Sequence, residues 1–168
     1  TGWEAAAKVI RLGVADFARK NFLSVEVADV AHPATEMLKS LVPPVDWKTG
    51  NTLTLLPWSK TELAVGEFEN RHGLDGPRMA PFGDVYSSDL SSLAEAMGED
   101  APPVGNTETD HQLKALIEDE LCIDSLEDEG FRVEACIDLW KRISISEYKR
   151  RAAPIVIRLS QRALVGDR

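Results

Sequence analysis

Residue types that build metal and redox sites are scarce in this sequence. Only two cysteines occur, Cys122 and Cys136, with no Cys-x-x-Cys pair and no histidine at zinc-ligand spacing. We therefore expect both thiols to be reduced and structural. The three histidines are widely scattered, and no Ser/His/Asp or Cys/His constellation is evident. This pattern argues against hydrolysis by a side-chain nucleophile.

Long hydrophobic runs are also absent. No stretch approaches the ~18 consecutive apolar residues of a spanning helix, and the N-terminus lacks a basic start followed by an apolar core. These features predict a cytoplasmic protein without a membrane partner. The formal net charge of -9 opposes attraction to a polyanion, so a nucleic-acid partner is not expected either.

The residues that are present are typical of a globular domain. The chain has 168 residues, 43% hydrophobic and 28% charged, which suits one domain over residues 1–168 with a substantial core. Strand and helix patterns alternate, which predicts an α/β domain with a largely parallel sheet flanked by helices and a helical C-terminus. The expected elements are helix Trp3–Asn21, strand Ser24–Val30, helix Ala34–Leu41, strand Thr52–Leu56, loop Gly73–Pro81, a helix from N-cap Asp89 through Met97, a helix carrying Leu113, Leu116, Ile117 and Leu121, and a helix through Val133, Ile137 and Trp140.

Two blocks of the sequence carry a resemblance to one enzyme family. The first is Glu147–Arg151, which reads Glu-Tyr-Lys-Arg-Arg and is followed by Pro154. The second is Ser59–Gly66, which reads Ser-Lys-Thr-Glu-Leu-Ala-Val-Gly, with Pro81–Tyr86 downstream. Both blocks, in this order, resemble the NAD+ synthases, and the nearest likeness is to glutamine-dependent bacterial members. The resemblance implies a Rossmann-like parallel sheet of the adenine nucleotide alpha hydrolase type.

The resemblance also implies a reaction. NAD+ synthases adenylate the carboxylate of nicotinic acid adenine dinucleotide with ATP and Mg2+, and ammonia then displaces AMP to leave NAD+. In glutamine-dependent members a nitrilase-like glutaminase domain supplies the ammonia, and nothing in this sequence matches that domain. Members of the family are usually homodimers, and apolar helical stripes in this chain would suit such an interface.

Three candidate site residues follow from the matched positions. Glu62 matches the acidic residue that helps to bind metal and the dinucleotide, although a glutamate in a first helical turn is also favoured by the helix dipole alone. Lys149 matches the motif lysine and would pair with a substrate carboxylate or phosphate, the alternative being one solvated charge in a basic cluster. Arg71 lies where the family often has a lysine that contacts the substrate, and a solvated loop arginine is an equal alternative. Asp84 is expected to cap or turn the chain rather than to catalyse.

Other positions depart from the family pattern on the ATP side. Pro57 and Trp58 replace a threonine and a glycine, and Ser87 stands where a lysine would approach ATP. The Ser-Gly-Gly-x-Asp-Ser loop that holds pyrophosphate is absent, so we expect a segment to be missing between about Asn21 and Ser24. Two rival interpretations therefore stay open: a non-catalytic paralog that keeps the scaffold and the dimer surface, and an acidic interaction module without a ligand.

Overall fold

The computed structural model describes residues 54–68, 78–96 and 107–165. The elements expected at Trp3–Asn21, Ser24–Val30 and Ala34–Leu41, the suspected break near residues 21–24, and Arg71 lie outside these residues. The described elements, in chain order, are β1 (Thr54–Leu55), α1 (Lys60–Val65), β2 (Arg78–Ala80), α2 (Ser87–Ala96), α3 (Thr107–Ile117), α4 (Ile123–Asp128), α5 (Val133–Ile145), α6 (Glu147–Arg150) and β3 (Ile155–Val156).

The three described strands form one parallel sheet in the order β1-β2-β3. Thr54 pairs with Arg78 on one side of β2, and Met79 pairs with Ile155 on the other. Helices together with a small parallel sheet are compatible with the expected α/β class. Part of the expected loop Gly73–Pro81 is wrong, because residues 78–80 form the central strand of this sheet. Pairing with neighbours on both sides outweighs the local turn signal of nearby glycine and proline.

Helix α2 begins earlier than the sequence predicts. Asp89 is the third residue of the helix and not its N-cap, because the helix starts at Ser87. The first backbone N–H groups are satisfied by distant side chains: Thr61 Oγ1 accepts from Ser87 N at 3.0 Å, and Asp110 Oδ2 accepts from Ser88 N at 2.8 Å. A helix capped by tertiary contacts does not need a local capping residue at its start.

The apolar stripe through Leu113 is confirmed as helix α3, but its last member is not helical. The helix ends at Ile117, and Glu120 takes a φ of 51°, which turns the chain before Leu121. Leu121 still packs on the cluster of Ala115, Leu126 and Cys136, so it joins the core from a turn. The expected helix through Val133 and Trp140 is confirmed as α5.

Helix α1 lies at the centre of the described packing. Leu63 and Ala64 are fully buried, and α1 contacts α2, α3 and α5. One core cluster joins Ala64, Tyr86, Leu113, Leu139 and Ile143. Six residues are too few for an isolated helix to be stable in water, so these contacts hold α1. Among the described residues, no helix has the length and apolar character needed to cross a membrane.

Candidate functional site

The N-terminus of α1 is closed by a capping box. Ser59 Oγ accepts from Glu62 N at 3.3 Å, and Glu62 Oε2 accepts from Ser59 N at 2.7 Å and from the Ser59 hydroxyl at 2.9 Å. This arrangement satisfies two backbone donors that the first helical turn would otherwise leave unpaired. One carboxylate oxygen of Glu62, the candidate metal and substrate residue, is thus engaged in the cap.

Lys60, the residue next to the cap, is completely buried. Its Nζ lies 3.0 Å from Asp84 Oδ1 and 2.9 Å from Glu118 Oε1, and it donates to Ser160 Oγ at 2.9 Å. The side chains of Lys60 and Asp84 are both 0% exposed. An ammonium group can be buried at acceptable cost only when its donors are met in this way. Two ion pairs and one hydrogen bond of Lys60 therefore join α1 to three segments that are distant in sequence.

Asp84 is the fully buried carboxylate partner of Lys60. Its Oδ2 accepts from Leu159 N at 2.7 Å and from Ser160 N at 2.6 Å, and its Oδ1 accepts from the Ser160 hydroxyl at 2.9 Å. Burial by itself would raise the pKa of this carboxyl, but donation from the Ser160 and Leu159 amides and from Lys60 outweighs burial and lowers the pKa below its ordinary value. Asp84 therefore holds the segment around residues 159–160 rather than capping its own turn.

Two lysine ammonium groups lie near the ring of Tyr86. Lys60 Nζ is 5.1 Å and Lys114 Nζ is 5.0 Å from the ring centroid, within cation–π range. Burial and then the nearby Glu118 carboxylate raise the pKa of Tyr86 well above its ordinary value, so the phenol is neutral. Its buried hydroxyl meets no partner in good hydrogen-bond geometry in the described part of the chain, although Glu118 is close enough to affect it. An open cavity of about 330 Å3 borders this ring and is lined by Asp84, Val85, Tyr86, Asp89, Lys114, Glu118, Leu159 and Ser160.

A second polar cluster joins α1 to α2 and α3. The Ser59 and Ser87 hydroxyls are 2.8 Å apart, and Asp110 Oδ1 accepts from the Thr61 hydroxyl at 2.6 Å. Ser59 is fully buried, and Ser87 and Asp110 are nearly so. Ser87 stands where the resembled family has a lysine. It contributes a buried hydroxyl between the first residues of α1 and α2 rather than a cation.

The C-terminus of α1 meets the start of α6 at very short range. Gly66 caps α1 in the left-handed conformation, with φ 74°. A Cβ placed on Gly66 would lie 2.5 Å from Ser146 Cβ, which is closer than real side chains approach. The Ser146 hydroxyl donates to the carbonyls of Ala64 at 2.8 Å and Ile143 at 3.0 Å. Only glycine at position 66 allows this contact between the two helices.

Two cations of the Glu147–Arg151 motif complete that contact. Arg150 donates through Nη1 to Ala64 O at 2.9 Å and through Nη2 to Ile143 O at 2.7 Å. Lys149 Nζ donates to Gly66 O at 2.8 Å. Cations are favoured at helix C-termini, where unpaired carbonyls carry negative charge. A shallow pocket of about 210 Å3 opens beside them, lined by Val65, Gly66, Arg142, Ile145, Ser146, Tyr148 and Lys149.

The two described candidate residues therefore contact the same helix at opposite ends. Glu62 caps its first turn, and Lys149 binds the carbonyl of its C-cap residue Gly66. The sequence interpretation missed Lys60, Asp110 and Arg150. Lys60 and Arg150 lie inside the two motifs that resemble the family, so their positions could have identified them as candidates. No local sequence pattern identifies Asp110.

A metal centre is not formed by the described residues alone. They contain no group of three or more His, Cys, Asp or Glu side chains placed to hold an ion, and one oxygen of Glu62 serves the cap. A Mg2+ ion beside Glu62 would take most of its ligands from phosphate oxygens and water, as Mg2+ in nucleotide sites commonly does.

Comparison with known proteins adds no family assignment. No model of a known protein family matches the chain, and no curated protein matches it significantly.

Proposed function

We propose that this chain is an NAD+ synthase-type domain with a Rossmann-like fold, which amidates nicotinic acid adenine dinucleotide to NAD+. One observation carries the proposal. The two sequence blocks that resemble the family lie about eighty residues apart, yet they form one unit: Lys149 and Arg150 donate to Gly66 and Ala64 at the end of α1. Contact between the two blocks is expected if both were inherited from one ancestral site, whereas two chance matches would have no reason to lie together.

The proposed reaction has two steps. The nicotinate carboxylate attacks the α-phosphate of ATP and releases pyrophosphate, which leaves an acyl-adenylate. Ammonia then attacks the acyl carbon, AMP leaves, and the ammonium proton that is lost passes to solvent. Lys149 would pair with a carboxylate or phosphate of the dinucleotide from the pocket beside Gly66. Glu62 would stand near the phosphates with Mg2+, and Arg71 would contact the same substrate.

A second candidate is favoured by specific contacts on the ATP side. Ser87 is buried against Ser59, and the Trp58 ring packs against Phe68 at a tilt of 50°, with ring centroids 5.2 Å apart. Lys60, a further cation of this region, is neutralised by Asp84 and Glu118. These contacts support a non-catalytic paralog that binds the dinucleotide but does not use ATP, in the cytoplasm and as a homodimer in either case.

Ligand stabilisation separates the two candidates. The protein, verified by intact mass, is melted with nicotinic acid adenine dinucleotide and, separately, with ATP and Mg2+, because a ligand that binds only the native state raises the melting temperature. Stabilisation by both, with NAD+ formed on addition of ammonium, is the result expected for the enzyme. Stabilisation by the dinucleotide alone would select the paralog. No response to either ligand would overturn both.

Lys149 provides the matching substitution test. Lys149→Ala removes the cation that would meet the substrate, so dinucleotide affinity should fall by about tenfold to a hundredfold, the value of a charge-assisted hydrogen bond. Calorimetric titration measures the loss. Lys141→Ala is the control, because Lys141 is an exposed lysine that pairs with Asp138, three residues earlier, at 3.0 Å. Equal affinity of both variants would remove Lys149 from the site.

A further inference from the structure

The side chain of Arg150 holds the one-turn helix α6 against the ends of α1 and α5. The guanidinium of Arg150 reaches Ala64 O at the end of α1, Ile143 O at the end of α5, and the Ser146 hydroxyl between them. Arg150 thus satisfies carbonyls at two converging helix ends with one side chain. The planar fork of guanidinium donors allows Nη1 and Nη2 to reach the two carbonyls at the same time.

The position of Lys149 depends on this anchor. Lys149 and Arg150 are consecutive residues of α6, so fixing the side chain of one fixes the rotation of the turn and the direction of the other. Lys149 donates a hydrogen bond to Gly66 O, two residues after Ala64, whose carbonyl accepts from Arg150. The turn has no buried residue of its own, so these polar contacts, rather than apolar packing, set its orientation.

We infer that Arg150 is a positioning residue, which acts through α6 to hold the Lys149 ammonium at the pocket beside Gly66. The functional part of the inference rests on the proposed dinucleotide site, but the placement of Lys149 does not. Arg151 offers the contrast within the same motif. Its side chain is 72% exposed and forms a surface ion pair with Glu147, four residues earlier.

Chemical labelling of lysines tests the placement without any ligand. Trace acetylation with acetic anhydride, read by peptide mass spectrometry, should modify Lys149 more slowly than the exposed Lys141 in the wild-type protein. In Arg150→Gln, Lys149 should become about tenfold more reactive, because losing a charge-assisted anchor releases the turn. Lys60 should stay protected. Arg151→Gln, the same change one residue later, should leave Lys149 within about twofold of wild type.

Two outcomes would overturn the inference. Unchanged Lys149 reactivity in a folded Arg150→Gln protein would show that the anchor does not place Lys149. A joint rise at Lys149 and Lys60 would show a loss of general structure instead of positioning. Should Arg150→Gln fail to fold, Ser146→Ala provides a milder release of the same contact, and Lys149 should again be the lysine that responds.

Dinucleotide titration of the same variants then links placement to binding. Arg150→Gln should lose about as much affinity for nicotinic acid adenine dinucleotide as Lys149→Ala, and the double variant should lose little more, because both changes remove one interaction. Additive losses would contradict the inference. If the wild-type protein binds no dinucleotide, the proposed function fails, while the labelling result still decides whether Arg150 positions Lys149.

Discussion

At the scale of single residues, Lys60 and Asp84 form a buried ion pair. Both side chains are fully buried, and Asp84 also holds the amides of Leu159 and Ser160. A buried ion pair adds little stability compared with apolar packing, but removal of one partner strands the other charge in the interior. We therefore expect even a conservative substitution of either residue to destabilise the folded protein strongly.

Asp84→Asn should lower the free energy of unfolding by about 3–5 kcal/mol, since Lys60 loses a charged partner and the one remaining oxygen cannot face both Lys60 and the Leu159 and Ser160 amides. Urea denaturation followed by circular dichroism measures the change. Asp89→Asn is the control, because Asp89 forms a half-exposed pair with Lys114 at 3.3 Å. That variant should change stability by less than about 1 kcal/mol. Similar losses in both would contradict the role of burial.

Acid stability should report the same carboxylate. The pKa of Asp84 is lowered from 3.8 in the folded protein, so the native state binds fewer protons than the unfolded chain in this range. The contribution of Asp84 is therefore complete above about pH 5 and is lost as the pH falls through 3.8 towards the lower folded value. The stability difference between wild type and Asp84→Asn should shrink over that window. A constant or growing difference on acidification would refute the assignment.

At the scale of elements, α1 shows how a short helix is kept in place. A capping box closes its start, and Gly66, Ser146, Lys149 and Arg150 close its end. The helix has six residues, and its identity as a helix depends on both ends as well as on burial of Leu63 and Ala64. The close approach at Gly66 is the most specific of these features.

Gly66→Ala should destabilise the protein much more than Gly130→Ala. Both glycines have positive φ, 74° and 82°, so each substitution carries a backbone cost of about 1–2 kcal/mol. At Gly66 the new methyl group also meets Ser146 Cβ, whereas at Gly130 nothing lies within 4 Å. We expect an excess loss of about 1–3 kcal/mol for Gly66→Ala, measured by thermal or urea unfolding. Equal losses would show that the α1–α6 contact relaxes freely.

At the scale of the whole molecule, apolar side chains remain on the surface near the candidate site. Trp140, Ile145 and Tyr148 are 53%, 72% and 68% exposed, on α5 and α6. Grouped exposed apolar residues commonly mark an interaction surface. We propose these residues as part of the homodimer surface, and Ile145 and Tyr148 also line the pocket beside Gly66.

Sedimentation should test this surface directly. The wild-type protein should behave as a dimer, with twice the 18.5 kDa mass of the chain. Ile145→Glu should shift it towards monomer, because burying a carboxylate in an apolar interface is costly. Ile123→Glu introduces the same change at a 55% exposed isoleucine of α4 and should leave the dimer intact. A monomeric wild-type protein, or equal effects of both changes, would exclude this face.

The sequence by itself determined the features that depend on neighbouring residues. The apolar stripes of α3 and α5 follow from helical periodicity, and a glutamate three residues after Ser59 has the spacing of a capping box. These features were predictable because hydrogen bonds between residues three or four apart need no knowledge of the rest of the chain.

Only the tertiary structure decided the rest. Lys60 is buried because Asp84, Glu118 and Ser160 meet it from three distant segments, which no local pattern reveals. Residues 78–80 form a strand because β1 and β3 flank them, and α2 starts at Ser87 because Thr61 and Asp110 supply its caps. In each case a buried polar group needs a partner, and the partner is brought close by folding rather than by sequence distance.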